Sequence, residues 1–163
     1  MKLAGKRILV VGLARSGIAA AQLLIHNGAV PVLSDRKKEE AFGHDLDELR
    51  GTACEFRLGE DPVELLNEAE GLVISPGVPI DAPVVTAARE KGVPMVGELE
   101  LASSLLKGDM AAISGTNGKT TTTTLLGRIF ENAGRVTHVA GNIGYPLSAV
   151  ALESRKEDMT VVE

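Results

Sequence analysis

Gly115-Thr116-Asn117-Gly118-Lys119-Thr120 packs two glycines, an ammonium and two hydroxyls into one short turn directly behind the apolar run Ala111–Ile113. Thr121 to Thr124 follow, so a strand, a glycine loop and a helix start are read in succession. That order aims several backbone N–H groups and a helix N-terminus at one point, where a polyphosphate is the natural guest. Lys119 has the reach to meet the β- and γ-phosphates, and the Thr120 hydroxyl can complete the oxygen shell of a Mg²⁺ that also takes phosphate oxygens. Gly115 through Thr121 therefore form the expected ATP site, with Lys119 and Thr120 as its catalytic pair and ATP and Mg²⁺ as its ligands.

The general phosphate-loop pattern places a first glycine where this chain has Ile113, so the match rests on Gly118-Lys119-Thr120. The competing reading is an ordinary strand-to-helix turn with threonine caps. Five consecutive β-branched threonines are poor helix formers and have no packing reason to cluster, which favours the nucleotide site.

A second constellation lies near the start. Gly12-Leu13-Ala14-Arg15-Ser16-Gly17 approximates the dinucleotide fingerprint G-x-G-x-x-G, with Ala14 in place of the middle glycine. Asp35 stands 18 residues beyond Gly17, where an acid can bind a ribose hydroxyl. This is an NAD site on its simplest reading. The Ala14 methyl, however, sits where backbone approaches a pyrophosphate, and Arg36-Lys37-Lys38 adds positive charge beside Asp35. A diphosphate at the helix start remains reasonable without an attached nicotinamide. Ser75-Pro76-Gly77 reads as a turn at the end of a strand, on the edge where open α/β sheets bind ligands.

The elements that must position these groups alternate. Strands are expected at Arg7–Gly12, Val30–Ser34, Ala53–Leu58, Gly71–Ser75 and Pro94–Val96, with helices at Ser16–Asn27, after Asp61-Pro62, and at Ala82–Lys91. The polar stretch from Asp35 to Arg50 reads as partly helical. Glu98–Leu106 carries another helical pattern, and a fresh strand from Met110 leads into the phosphate loop. Beyond it come a helix at Thr121–Asn132, a strand at Val136–Ala140, the turn Gly141-Asn142-Ile143-Gly144, a short helix and a last strand at Met159–Glu163. The class is α/β: a Rossmann-like parallel-sheet unit over 1–97, then the start of a phosphate-loop ATPase-type α/β unit over 98–163.

Composition bounds the possibilities. Of 163 residues 44% are hydrophobic but only 2% aromatic, so the core must rest on Leu, Val, Ile and Ala. A net charge of −5 with no basic stripe excludes a nucleic-acid binder. Lys2, Lys6 and Arg7 precede an apolar run that Arg15 breaks, which excludes a signal peptide, and no window nears the roughly 18 apolar residues of a membrane span. A single cysteine, Cys54, excludes an internal disulfide and fits a cytoplasmic protein. His26, His44 and His138 are scattered without metal spacing. Glu98 and Glu100, two apart on a helix, read as a polar face rather than a catalytic pair. Three strands leave a phosphate-loop sheet with open edges, so the chain is expected to be an N-terminal fragment.

Taken in order, Val11–Gly17, Ser75–Gly77, Gly97-Glu-Leu-Glu-Leu101, Gly115–Thr120, Gly141–Gly144 and Val161-Val-Glu163 resemble the Mur ligase family of peptidoglycan synthesis, across nearly the whole chain. The resemblance implies a first unit that binds the UDP part of UDP-MurNAc-L-Ala. Arg15 and Ser16 would lie at the diphosphate, Asp35, Arg36 and Lys37 around the uridine, and Ser75, Pro76 and Gly77 opposite. Arg36 stands where a small hydroxylated residue is usual in that family. Asn142 would meet the muramoyl group, and Glu163 would be a Mg²⁺ ligand. A carbamylated lysine, a metal-binding histidine and a D-glutamate-binding domain would follow downstream. The implied protein is a monomeric, cytoplasmic amide ligase. Two other readings stay open from the residues alone: an NAD-dependent oxidoreductase built on Gly12 and Asp35, and a non-catalytic phosphate-loop switch module.

Overall fold

The computed structural model describes residues 3–163, and Lys2 lies outside them. Five parallel strands form the first sheet: β1 (Arg7–Val11), β2 (Val30–Ser34), β3 (Glu55–Phe56), β4 (Gly71–Ile74) and β5 (Met95–Gly97), in the order β3-β2-β1-β4-β5. The connections are α1 (Arg15–His26) after β1, α2 (Pro62–Leu65) after β3 and α3 (Pro83–Lys91) after β4. The chain runs from β1 to β3 in one direction and resumes with β4 on the other side of β1. The strand order thus reverses between β1 and β4, and an open α/β sheet binds its ligands outside the carboxyl ends at such a point.

Every residue of β1 after Arg7 is buried, as expected of a central strand covered on both faces. The pleat sends Ile8 and Val10 into one core with Leu24 and Leu33, and Leu9 and Val11 into another with Val32, Leu72 and Val85. Each such side chain contributes about 1.5–3 kcal/mol by leaving water. The polar stretch from Asp35 to Arg50 holds only two single 3₁₀ turns, Glu39–Ala41 and Asp47–Leu49. β3 is shortened to two residues at the sheet edge, where Glu55 pairs with Arg7.

β5 runs straight into α4 (Glu98–Leu105), and a second parallel sheet follows from β6 (Asp109–Ala112), β7 (Thr137–Ala140) and β8 (Met159–Val162) in the order β6-β8-β7. Its helices are α5 (Lys119–Asn132) and α6 (Leu147–Glu153). Leu147, Val150 and Ala151 of α6 join Leu101 and Ala102 of α4 in the same core as α1, so one apolar layer links the two sheets. Met110, Leu125 and Ile129, on β6 and α5, stay exposed.

Candidate functional site

At the end of β1 the chain turns through Gly12 and opens α1 with Ala14 as an N-cap that offers no side chain to the first amides. The turn is tied from three sides. Ser75 Oγ donates to the Gly12 carbonyl at 2.5 Å, the Gly12 N–H donates to Ser34 O at 2.9 Å, and the Leu13 N–H donates to Asp35 Oδ2 at 2.7 Å. The other Asp35 oxygen accepts from the Lys37 N–H at 2.9 Å. Asp35 thus spends its carboxylate on the backbone, where the sequence alone suggested a ribose ligand. Gly17 is required by proximity: a Cβ there would overlap the Gly12 carbonyl and lie 2.7 Å from Ser75 Oγ.

Beside this turn a cavity of about 390 Å³ opens at the switch point. Asp35, Arg36, Ser75 and Gly77 line it, on a floor that includes Val11 and Val84. Lys37 is not part of that lining; its ammonium stands 5.9 Å from the centroid of the Phe42 ring. A second, more polar cleft of about 510 Å³ lies between the sheets, walled by Arg15, Ser16 and Pro76 on one side and Asn142 and Glu163 on the other. The residues expected at the diphosphate and at the metal therefore face one another.

The phosphate loop joins β6 to α5. Gly118, the N-cap of α5, has φ +75°, and open space surrounds its Cβ direction. Gly115, Thr116, Asn117, Gly118, Thr120 and Thr121 are exposed. Among the described residues, the N–H groups of Gly115 to Gly118 donate to no protein acceptor. Lys119 folds back over the loop and donates from Nζ to Gly115 O at 2.7 Å. Ammonium and amides therefore crowd one spot, and an anion is the complementary guest.

Glu163 reaches the same place from the end of β8. Its Oε1 accepts from Asn142 Nδ2 at 3.0 Å, while its Oε2 is buried without a hydrogen-bond partner among the described residues. Asn142 holds the carboxyl below the usual carboxylate range, and the Thr120 hydroxyl and the Lys119 charge act in the same direction. Thr120 stands near this carboxylate but outside hydrogen-bond geometry, and a charged, sheltered oxygen so left is costly unless a cation meets it. Glu163 and Thr120 together offer hard oxygens of the kind Mg²⁺ takes, so the residues present fit that ion.

Two groups here carry no local sequence signal. Glu98 is only 3% exposed, and its Oε1 accepts from the Ser148 N–H at 2.7 Å, so it caps α6 rather than lying on a polar face. Ser148 is 50 positions away in sequence, beyond any spacing rule. His138 is likewise engaged, with Nε2 3.1 Å from Asp158 Oδ2.

Residues 6–97 match the family described as "Mur ligase MurD-like, N-terminal domain", and residues 113–163 match "Mur ligase middle domain". The chain belongs to the Mur ligase family. Over its full 163 residues it is 47% identical to the UDP-N-acetylmuramoylalanine--D-glutamate ligase of Caldanaerobacter subterraneus subsp. tengcongensis and 44% identical to that of Thermoanaerobacter sp.. It spans 36% of the length of each. Among solved structures it resembles UDP-N-acetylmuramate:L-alanyl-gamma-D-glutamyl-meso-diaminopimelate ligase from Neisseria meningitides, with TM-score 0.58 and 23% identity, over 98% of this chain and 52% of that one. That likeness concerns the fold, a Rossmann-like unit followed by a Mur ligase middle unit.

Proposed function

We propose that this chain is the UDP-substrate-binding and ATP-binding part of a ligase that joins D-glutamate to UDP-MurNAc-L-Ala in peptidoglycan synthesis. The observation that carries it is the meeting, across one cleft, of the α1 N-terminus with Asn142 and Glu163, beside a loop whose Gly115 to Gly118 amides donate to no acceptor among the described residues. Residues 1–97 are read as the substrate unit and 98–163 as the start of the ATP unit. The protein is further read as a cytoplasmic monomer. No described helix is long and apolar enough to cross a membrane.

In this reading the amides of Gly115 to Gly118 and the first turn of α5 cradle the β- and γ-phosphates of ATP. Lys119 leaves the Gly115 carbonyl to neutralise the γ-phosphate. Thr120 and Glu163 hold the divalent ion, which supplies charge neutralisation at the transferring phosphoryl group. The uncapped start of α1, with Arg15 and Ser16, takes the diphosphate of the UDP substrate. Asn142 keeps Glu163 oriented and faces the muramoyl group. So held, an alanyl carboxylate oxygen attacks the γ-phosphorus and ADP departs, leaving an acyl phosphate. The D-glutamate amine then attacks the acyl carbon, loses a proton and expels phosphate. Alignment and electrostatics are what this chain supplies to that chemistry.

Calorimetric titration of the chain with UDP, Mg²⁺-ATP and NADH tests the proposal. UDP and Mg²⁺-ATP are expected to bind at separate sites, and NADH is not. Tight NADH binding with no response to UDP would establish the oxidoreductase reading instead.

A further inference from the structure

Ser34 closes β2 at a position where the pleat calls for an apolar side chain. Val32 and Val11 point to the face covered by α2 and α3. Ser34 lies two residues after Val32 and is the register partner of Val11, so its side chain leaves the sheet on that same face. This is the side on which the cavity at the switch point opens, and Ser34 is among its lining residues. The residue is 1% exposed, and its hydroxyl oxygen is buried without a hydrogen-bond partner among the described residues.

Apart from the Arg36 guanidinium, which also lines it, the other polar side chains around this cavity are already engaged. Ser75 Oγ is bound to Gly12 O, both Asp35 oxygens take backbone N–H groups, and Asp61 Oδ1 accepts from the Val63 N–H that it caps. The walls are otherwise largely aliphatic, with Val11, Val63, Val78 and Val84 among them. A lone hydroxyl buried among such groups destabilises the fold if nothing meets it. A volume of about 390 Å³ suits a planar heterocycle and its sugar better than a bare phosphate.

We infer that Ser34 Oγ is a specificity-determining contact for the nucleoside part of the UDP substrate, hydrogen-bonding a polar edge seated against the cavity wall. This rests on the proposed reading of the cavity as the UDP site and adds a residue to it. The α1 N-terminus serves the diphosphate, and Ser34 the group beyond it.

The test is Ser34→Ala in the 163-residue chain, titrated with UDP and separately with inorganic pyrophosphate, alongside thermal unfolding. Removing an unpaired buried hydroxyl is expected to leave Tm equal or raise it. UDP affinity is expected to fall about tenfold, the worth of one hydrogen bond, with pyrophosphate affinity unchanged. Unchanged UDP affinity overturns the inference while leaving the UDP site standing. A parallel fall in pyrophosphate affinity makes Ser34 a phosphate contact, and a fall in UDP affinity together with a lower Tm makes it structural; either result overturns it. A wild-type chain indifferent to UDP removes the reading of the cavity and this contact with it.

Discussion

The two glycine turns of this molecule sit at equivalent places, each at the carboxyl end of a first strand and the start of a helix, yet they are built in opposite ways. The Gly12 turn is fastened by Ser75, Asp35 and the Ser34 carbonyl, and Gly17 is pressed against it. The loop from Gly115 to Gly118 is held by none of these devices, and its own lysine lies across it. Both helices start without a side-chain cap and without an acid in the first turn. By contrast, α2 is capped by Asp61 and α6 by Glu98. α3 also starts without a cap or an acid, so an open N-terminus alone marks no site; what sets α1 and α5 apart is the glycine turn before each and the polar cleft that Arg15 and Ser16 line. The first turn is fixed by the protein itself, whereas the second is left open, with its own lysine as its main tie.

The sharpest way to break that comparison is Lys119→Ala. In the full-length enzyme, loss of one preorganised charge at the transferring group is expected to slow acyl phosphate formation by at least about 10²–10³-fold. UDP binding by the first unit should be untouched. Single-turnover phosphoryl transfer measures the first effect and calorimetry the second. Undiminished turnover would remove the loop from the chemistry.

Next in size is a pair of glycine substitutions. Gly17→Ala puts a methyl onto the Gly12 carbonyl, and overpacking of this kind costs about 1–3 kcal/mol. The tied turn has nowhere to move, so UDP affinity should fall with Tm. Gly118→Ala meets nothing in space and costs only the left-handed conformation, about 1–2 kcal/mol. Its effect should appear in Mg²⁺-ATP affinity and leave UDP alone. Equal effects of the two variants on UDP binding would erase the distinction between a tied and an open turn.

The same contrast explains what was legible in the sequence. Apolar runs and glycine punctuation are local, so β2 is read correctly to the residue and α1 to within one residue at either end. The phosphate loop is local too, and its residues stay together in space. Composition is a poorer guide where one edge strand and one side chain decide the structure. The stretch Ala53–Leu58 yields only Glu55–Phe56 as strand, because β3 pairs with β2 alone, at the sheet margin. Asp35 was legible as important, but its partners Leu13 and Lys37 are backbone amides that no residue type announces. Glu98 takes its meaning from a contact made only after the chain has folded.

Glu98 offers a third, smaller test. Glu98→Ala leaves the Ser148 N–H buried and unpaired, an expected loss of about 1–3 kcal/mol in denaturant unfolding. Because α6 follows the Gly141–Gly144 turn, the loss should loosen Asn142 and Glu163 and weaken Mg²⁺-ATP binding before UDP binding. Glu98→Gln keeps an acceptor and should recover most of the stability. If the alanine variant were as stable as the parent, the cap would carry no weight.

The smallest effect separates the two turns by pH, since Glu163 belongs to the loop site. Its carboxyl titrates below the ordinary 4.5, chiefly through Asn142 and then Thr120 and Lys119. A group held low in the native state binds fewer protons there than in the unfolded chain, so stability rises with pH across the window. The contribution is complete above the unfolded value of 4.5 and is lost as pH falls through the lower native one. Asp158, held down by His138 and the Arg155 N–H, behaves in the same way, its contribution complete above 3.8 and lost as pH falls through its lower native value. It lies outside the cleft lining, however, so its titration should leave ion binding unchanged. The rise in Tm produced by Mg²⁺ is therefore expected to persist on acidification to about pH 4.5 and to fade below it. Asn142→Ala removes the largest cause of the shift and should move that fading to higher pH, whereas Asp158→Asn should leave its midpoint in place. A midpoint that ignored Asn142 and followed Asp158 would move the ion away from Glu163 and leave the loop without its metal.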